Sequence, residues 1–113
     1  MKPLAGERVI QKHFPNSFHQ APLLEALKAG AVDHTVIVGA MSHRCIDATT
    51  RAAYELGLRC TLIHDACATR DLEFQGRRVK ADEVHASFMA ALGWWYARLL
   101  SGAEFLSEAG GRK

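Results

Sequence analysis

VIVGAMSHRCIDATTRAAYELG, residues 36–57, decides the reading of this chain. It opens inside TVIVGA, residues 35–40, an uninterrupted β-branched run of the kind found in strands buried on both faces. Gly39 and Ala40 then keep the backbone unobstructed through the turn MSHR. From Cys45 to Leu56, Ile46, Ala48, Thr49, Ala52, Ala53 and Leu56 recur at helical spacing, and Gly57 is a stop signal. A strand, a tight turn and a cysteine at a helix start form a unit with chemical meaning. The first N–H groups of a helix lack intrahelical partners and, with the helix dipole, favour an anion. A thiolate is such an anion, and the same donors can hold an oxyanion when a carbonyl is attacked. The bland alternative is that Cys45 is a small buried hydrophobe, a description that suits Cys60 and Cys67 better.

Working outward, RCTLI (59–63) reads as a second buried strand, followed by a polar loop, HDACATRD (64–71). Residues 71–80 are polar, with a turn at QGR. Ala81–Leu100 reads as the longest helix, with Val84, Phe88, Ala91, Leu92, Trp95 and Leu99 on its apolar face, and AEFLS (103–107) as a last strand. Upstream, Arg8–Gln11 reads as a short strand ending at Lys12. HFPNSF is a loop, and APLLEALKAG a helix with Pro22 near its start and Gly30 at its end. Strands alternating with helices imply an α/β fold with a parallel sheet and helices on both faces. In such sheets chemistry gathers beyond the C-terminal strand ends. Those ends are Lys12, the Gly39–Cys45 turn and the loop after Ile63.

Composition narrows the functions. A chain of 113 residues, 49% apolar, makes one domain, 1–113, with a real core. Its net charge of +2 comes from interleaved Lys, Arg, Asp and Glu. Without a basic stripe, nucleic acid is not an expected partner. No stretch has the length or apolarity of a signal peptide or a membrane span, so no membrane partner is expected. Three cysteines without CxxC spacing argue against a disulfide framework and a zinc site, and they suit the cytoplasm. The six histidines are dispersed, so neither a metal nor another cofactor is expected.

VIVGAMSHRCIDATTRAAYELG followed by CTLIHDACAT (60–69) resembles the signature stretch of the isochorismatase-like cysteine hydrolases, which include nicotinamidases and ureidoacrylate amidohydrolases. VIQKHFPNSF (9–18) is similar to that family's strand ending in Lys and followed by Ser-Phe. The resemblance runs from about Glu7 to about Leu100. It implies a three-layer α/β fold and an Asp–Lys–Cys triad, with Cys45 as nucleophile and Lys12 as the supporting cation. It places the oxyanion on the backbone N–H groups of Met41 and Cys45, and a cis peptide at Ala40–Met41. It also implies hydrolysis of an amide-type C–N bond of a small molecule through a thioester. His43, Phe14 and Phe18 are the expected pocket residues.

One member of the triad has no counterpart. The family's Asp ends the first strand, and nothing here matches that segment, so the domain is expected to be incomplete at its N-terminus. Asp65, Asp47, Asp71 and Glu73 are the carboxylates available as substitutes. The alternative function is a non-catalytic relative or interaction module of the same fold. A missing strand beside TVIVGA would leave an apolar edge, so homo-oligomerisation or association with an N-terminal polypeptide is expected. Trp94, Trp95 and Tyr96 span most of a helix's circumference, so at least one must face outward, as part of a subunit interface or of a core rim.

Overall fold

A computed structural model describes residues 2–110. Its elements are α1 (Leu23–Ala29), β1 (His34–Ala40), a π-helical turn (Ser42–Ile46), α2 (Asp47–Glu55) and β2 (Arg59–Ala68). There follow a hairpin, β3 (Leu72–Phe74) and β4 (Arg77–Val79), then α3 (Ala81–Trp95), β5 (Arg98–Leu100) and α4 (Gly102–Gly110). β1, β2 and β5 form a parallel sheet in the order β1-β2-β5. The hairpin is separate and antiparallel.

The alternation of side chains along the strands builds three layers. On one face Ile37, Leu62 and Leu99 pack with Ile46 of the π-turn and with Met89 and Leu92 of α3. A second cluster of Ala53, Leu58 and Cys60 lies under α2, with Phe18 and Leu27 against it. On the other face α4 lies over β2 and β5. This is the expected α/β architecture.

Several element boundaries depart from the sequence reading, each for a physical reason. Residues 8–12 form no strand, and Val9 is exposed. A strand exists only by pairing, and no strand of the described sheet lies beside this segment. β1 is not buried on both faces: Val36 and Val38 are exposed, because α4 lies over β2 and β5 and, among the described residues, β1 is an edge strand bonded only to β2. The stretch expected as a polar loop after Ile63 continues as strand to Ala68. Its pairing slips between Ile37↔Leu62 and Gly39↔Cys67, so two steps along β1 match five along β2. That bulge re-aims the strand ends where the site lies.

The expected helix Ala81–Leu100 stops at Trp95, and Arg98–Leu100 pairs with β2 instead. AEFLS, expected as a strand, lies within α4. Ser101 and Glu104 close a reciprocal cap there. The Ser101 hydroxyl accepts the Glu104 N–H at 3.0 Å, and the Glu104 carboxylate accepts the Ser101 N–H at 2.9 Å. This is the S-x-x-E helix-start pattern. The apolar face of α3 is Val84, Met89 and Leu92, while Ala91 and Trp95 are exposed.

Candidate active site

The end of β1 is shaped by backbone conformation. Gly39 has φ +133°, a region closed to residues with a Cβ, and the next peptide, Ala40–Met41, is cis. The chain then enters the π-turn rather than an α-helix. The Met41 carbonyl accepts N–H groups from both Arg44 (3.0 Å) and Ile46 (3.2 Å). Cys45 therefore sits inside a widened first turn and does not open the α-helix, which begins at Asp47. The extra residue rotates the thiol relative to a plain helix start, and such π-bulges recur at functional sites.

The turn is held from behind by side chains far away in sequence. Ser42 is fully buried, and its hydroxyl lies 2.7 Å from His85 Nδ1 of α3 and 3.4 Å from the Ala68 carbonyl. No local signal marks a pair 43 residues apart.

Lys12 reaches the same place through a separate clamp. Its amine donates to the Pro15 carbonyl at 2.9 Å and to the Ser17 hydroxyl at 3.1 Å. The Ser17 N–H donates to Thr49 Oγ1 at 3.0 Å. The Thr49 hydroxyl lies 3.1 Å from the Pro15 carbonyl and 2.9 Å from Ser17 Oγ. Thr49 is on α2, four residues beyond Cys45, so the π-turn and the helix it leads into position the thiol and the lysine loop together. In the sequence Thr49 shows only as a small helical residue within the family-like stretch, with nothing to mark its link to Ser17.

Lys12, Ser17, Gly39, Ala40, Cys45 and Thr49 surround a cavity of about 170 Å³, with Ile37, Val38 and Ile46 completing it. The structure thus brings Lys12 and Cys45 to one cavity. It directs the other expected pocket residues elsewhere. His43 turns to Thr69, 2.7 Å from its hydroxyl, and packs edge-on to Phe88. Phe14 stacks on His19, and Phe18 belongs to the Ala53–Leu58–Cys60 cluster.

No carboxylate lines this cavity among the described residues. Each substitute considered from sequence faces another way. Asp65 accepts the Gly102 N–H at 2.7 Å, at the start of α4. Asp47 pairs with Arg51 at 2.9 Å. Asp71 accepts the Ala81 N–H at 2.8 Å, at the start of α3. Glu73 is exposed on the hairpin. Among the described residues no three His, Cys, Asp or Glu side chains gather to hold a metal, and no helix is long and apolar enough to cross a membrane.

The three cysteines are free thiols in different surroundings. Burial pushes the Cys60 thiol up from its ordinary pKa, against the Thr35 hydroxyl bonded to it. Burial likewise raises Cys67, opposed by a hydrogen bond from the Gly39 backbone and reinforced by the Asp65 charge. Cys45 is the half-buried thiol that opens into the cavity with Lys12.

The isochorismatase domain family matches residues 1–90. The chain belongs to this isochorismatase family. An uncharacterized isochorismatase family protein of Bacillus subtilis is 45% identical over 106 residues, which are 94% of this chain and 59% of that protein. A streptothricin hydrolase of Streptomyces noursei is 38% identical over 72 residues, 64% of this chain and 26% of the relative. The crystal structure of an isochorismatase hydrolase from Oleispira antarctica superposes with a TM-score of 0.89 at 50% identity. That match covers 93% of this chain and 56% of the other. This isochorismatase-family chain therefore spans a little over half the length of the relatives that match nearly all of it.

Proposed function

We propose that this chain carries the nucleophile-bearing part of a cysteine hydrolase that cleaves an amide-type C–N bond of a small molecule. The observation that carries the reading is the shared cavity of Cys45 and Lys12 at the β1 end. Family membership supports it, as does the similarity to a relative named as a hydrolase. In this reading the Cys45 sulfur attacks the substrate carbonyl and the oxyanion rests on the N–H groups of Met41 and Cys45. The C–N bond then breaks with the proton lost from the thiol passing to the departing nitrogen. Water adds to the thioester, releasing the acid and restoring the thiol. Lys12 supplies a positive charge beside these steps. The free thiols suit a reducing compartment such as the cytoplasm.

The commitment of Asp65, Asp47 and Asp71 to other partners favours a specific limit on the isolated chain. Without a carboxylate in the cavity, proton transfer is unassisted. Losing one member of a catalytic unit costs on the order of 10³-fold or more in rate. A strand from another polypeptide segment, paired to the open edge of β1, would stand next to the cavity and could bring a carboxylate. The same observations support the second reading, a non-catalytic module of this fold.

Acyl trapping separates the two. An activated thioester or p-nitrophenyl ester is expected to acylate Cys45 in the wild-type chain, seen as an intact-mass increase mapped to the Cys45 peptide. It should acylate Cys45→Ser far more slowly, and turnover of a simple amide should be near background. Acylation at Cys67, or none above a denatured control, would defeat the nucleophile assignment and leave the module.

A further inference from the structure

We propose that His85 is a positioning residue for the nucleophile turn: by holding the Ser42 hydroxyl it keeps the Met41 N–H aimed at the oxyanion that forms when Cys45 attacks a carbonyl. The proposal rests on the reading of Cys45 as nucleophile and adds to it a residue of α3 that does not line the cavity.

The π-turn is fastened to α3 at both of its ends. At Ile46 the fastening is apolar, against Met89 and Leu92. At Ser42 it is polar, with the hydroxyl 2.7 Å from His85 Nδ1. His85 and Met89 are one helical turn apart, so they stand on the same face of α3. Cys45 lies in the segment between the two fastenings. Packing on Ile46 holds that end of the turn in place but fixes no direction. A hydrogen bond is directional, and the one at Ser42 acts on the residue next to Met41. Ser42 is fully buried, so bulk water does not replace a lost partner.

The donors and acceptors show why a histidine serves here. A hydroxyl has a single proton to donate, and the Ala68 carbonyl, 3.4 Å from Ser42 Oγ, can only accept. Both contacts are met together when the His85 Nδ1–H donates to Ser42 Oγ and the Ser42 O–H donates to the Ala68 carbonyl. Ala68 stands opposite Ala40 in the sheet, so the chain of bonds ties α3, the turn and the end of β2 around Met41. His43, bonded to Thr69 at 2.7 Å, keeps the turn near β2 when the Ser42 bond is lost. Loss of that bond therefore mis-aims the Met41 N–H without releasing the turn. Misplacing a group at a reacting centre by about 1 Å can cost about 10²-fold in rate.

Two reactions of one thiol separate this role from plain stability. In acylation by p-nitrophenyl acetate the Cys45 sulfur bonds to the carbonyl carbon and the carbonyl oxygen becomes an oxyanion. The C–O bond then breaks, p-nitrophenolate leaves with its electron pair, and the thiol proton passes to solvent. In alkylation by iodoacetamide the sulfur displaces iodide from a saturated carbon, and no oxyanion forms. His85→Leu should slow acylation of Cys45 on the order of 10- to 100-fold while alkylation at the same residue keeps its wild-type rate. His85→Asn, which returns a donor and an acceptor near the Nδ1 position, should restore most of the acylation. Ser42→Ala removes the same bond from the other side, and combining it with His85→Leu should add no further loss. Should His85→Leu fail to fold, Ser42→Ala carries the comparison. Equal acylation in the wild type, His85→Leu and Ser42→Ala would overturn the proposal and leave the nucleophile assignment standing. So would a parallel loss of acylation and alkylation, or a His85→Asn chain as slow as His85→Leu. A wild-type chain whose Cys45 is alkylated but never acylated would overturn the nucleophile reading itself, and the proposal with it.

Discussion

At the residue scale the cavity depends on a few side chains whose environments differ more than their types. Cys45 opens into the cavity, whereas burial raises the pKa of Cys60 and Cys67. A raised pKa keeps the thiol protonated to higher pH, so less nucleophilic thiolate is present near neutrality. Limiting iodoacetamide at neutral pH should therefore label Cys45 first, Cys67 later and Cys60 last, read by peptide mass spectrometry. Labelling of Cys67 should speed up as pH rises into the range where its raised thiol ionises. Faster labelling of Cys60 or Cys67 at neutral pH would contradict the site. Thr49 is the second residue of consequence, because its hydroxyl joins α2 to the loop that holds Lys12. Thr49→Val keeps the shape and removes the hydroxyl, leaving the Ser17 N–H without its acceptor. Unmaking partly buried bonds of this kind costs about 1–2 kcal/mol. The urea midpoint should fall accordingly with an unchanged slope, and a midpoint equal to wild type would show that the clamp contributes nothing.

At the scale of elements, one glycine decides how α3 and β5 meet. A Cβ placed on Gly93 would lie 2.5 Å from Leu99 Cδ1 and 2.8 Å from its Cγ. Leu99 packs against the Ile46–Leu62–Met89–Leu92 cluster and sits opposite Leu62 in the sheet, so it has little space to retreat. Gly93→Ala would raise helix propensity on an isolated helix by about 1 kcal/mol. Here overpacking should win, at about 1–3 kcal/mol of destabilisation. Thermal denaturation would check the sign: a higher midpoint would mean that Leu99 swings aside freely. The same close approach explains why the helix pattern misled beyond Trp95. Leu99 fits a helical stripe continued from Leu92 and Trp95, and no Gly or Pro punctuates Tyr96–Ala97. β5 forms because Leu62 and Ile63 of β2 offer an edge to pair with.

At the scale of the whole molecule the chain is looser than its length suggests. Its radius of gyration is 15.0 Å, against about 13 Å for a compact domain of this size. Residues 2–9 are exposed, and β1 presents an unpaired edge with Val36 and Val38 in the open. Exposed backbone outside sheets and helices is where proteases cut. Brief trypsin treatment should cleave after Arg8 before it cleaves after Lys12, whose amine is engaged with Pro15 and Ser17. In Thr49→Val the Lys12 site should become comparably fast. Equal rates in the wild type would show that the lysine loop is not held against α2.

The alternation of apolar runs and helical stripes was enough to specify a parallel α/β fold, because burial periodicity is a local property of the chain. The GAMSHRC turn was legible for a similar reason. A small-residue end of an apolar run, with a cysteine six residues on at the head of a helical stripe, constrains backbone and chemistry within seven residues, and Lys12 was recognisable by its family-like surroundings. What pairs with what was not legible. Residues 8–11 had strand character but no neighbour, residues 64–68 had loop composition but a β1 edge to bond, and Arg98–Leu100 became strand because β2 needed a partner. The Ser101–Glu104 cap was a local signal that outweighs strand-like Phe105 and Leu106. The Ser42–His85 and Thr49–Ser17 links, and the turning of His43, Phe14 and Phe18 away from the cavity, join residues far apart in sequence. Only tertiary packing could decide them, since hydrogen-bond partners and burial are properties of the assembled fold and not of the segment that supplies the side chain.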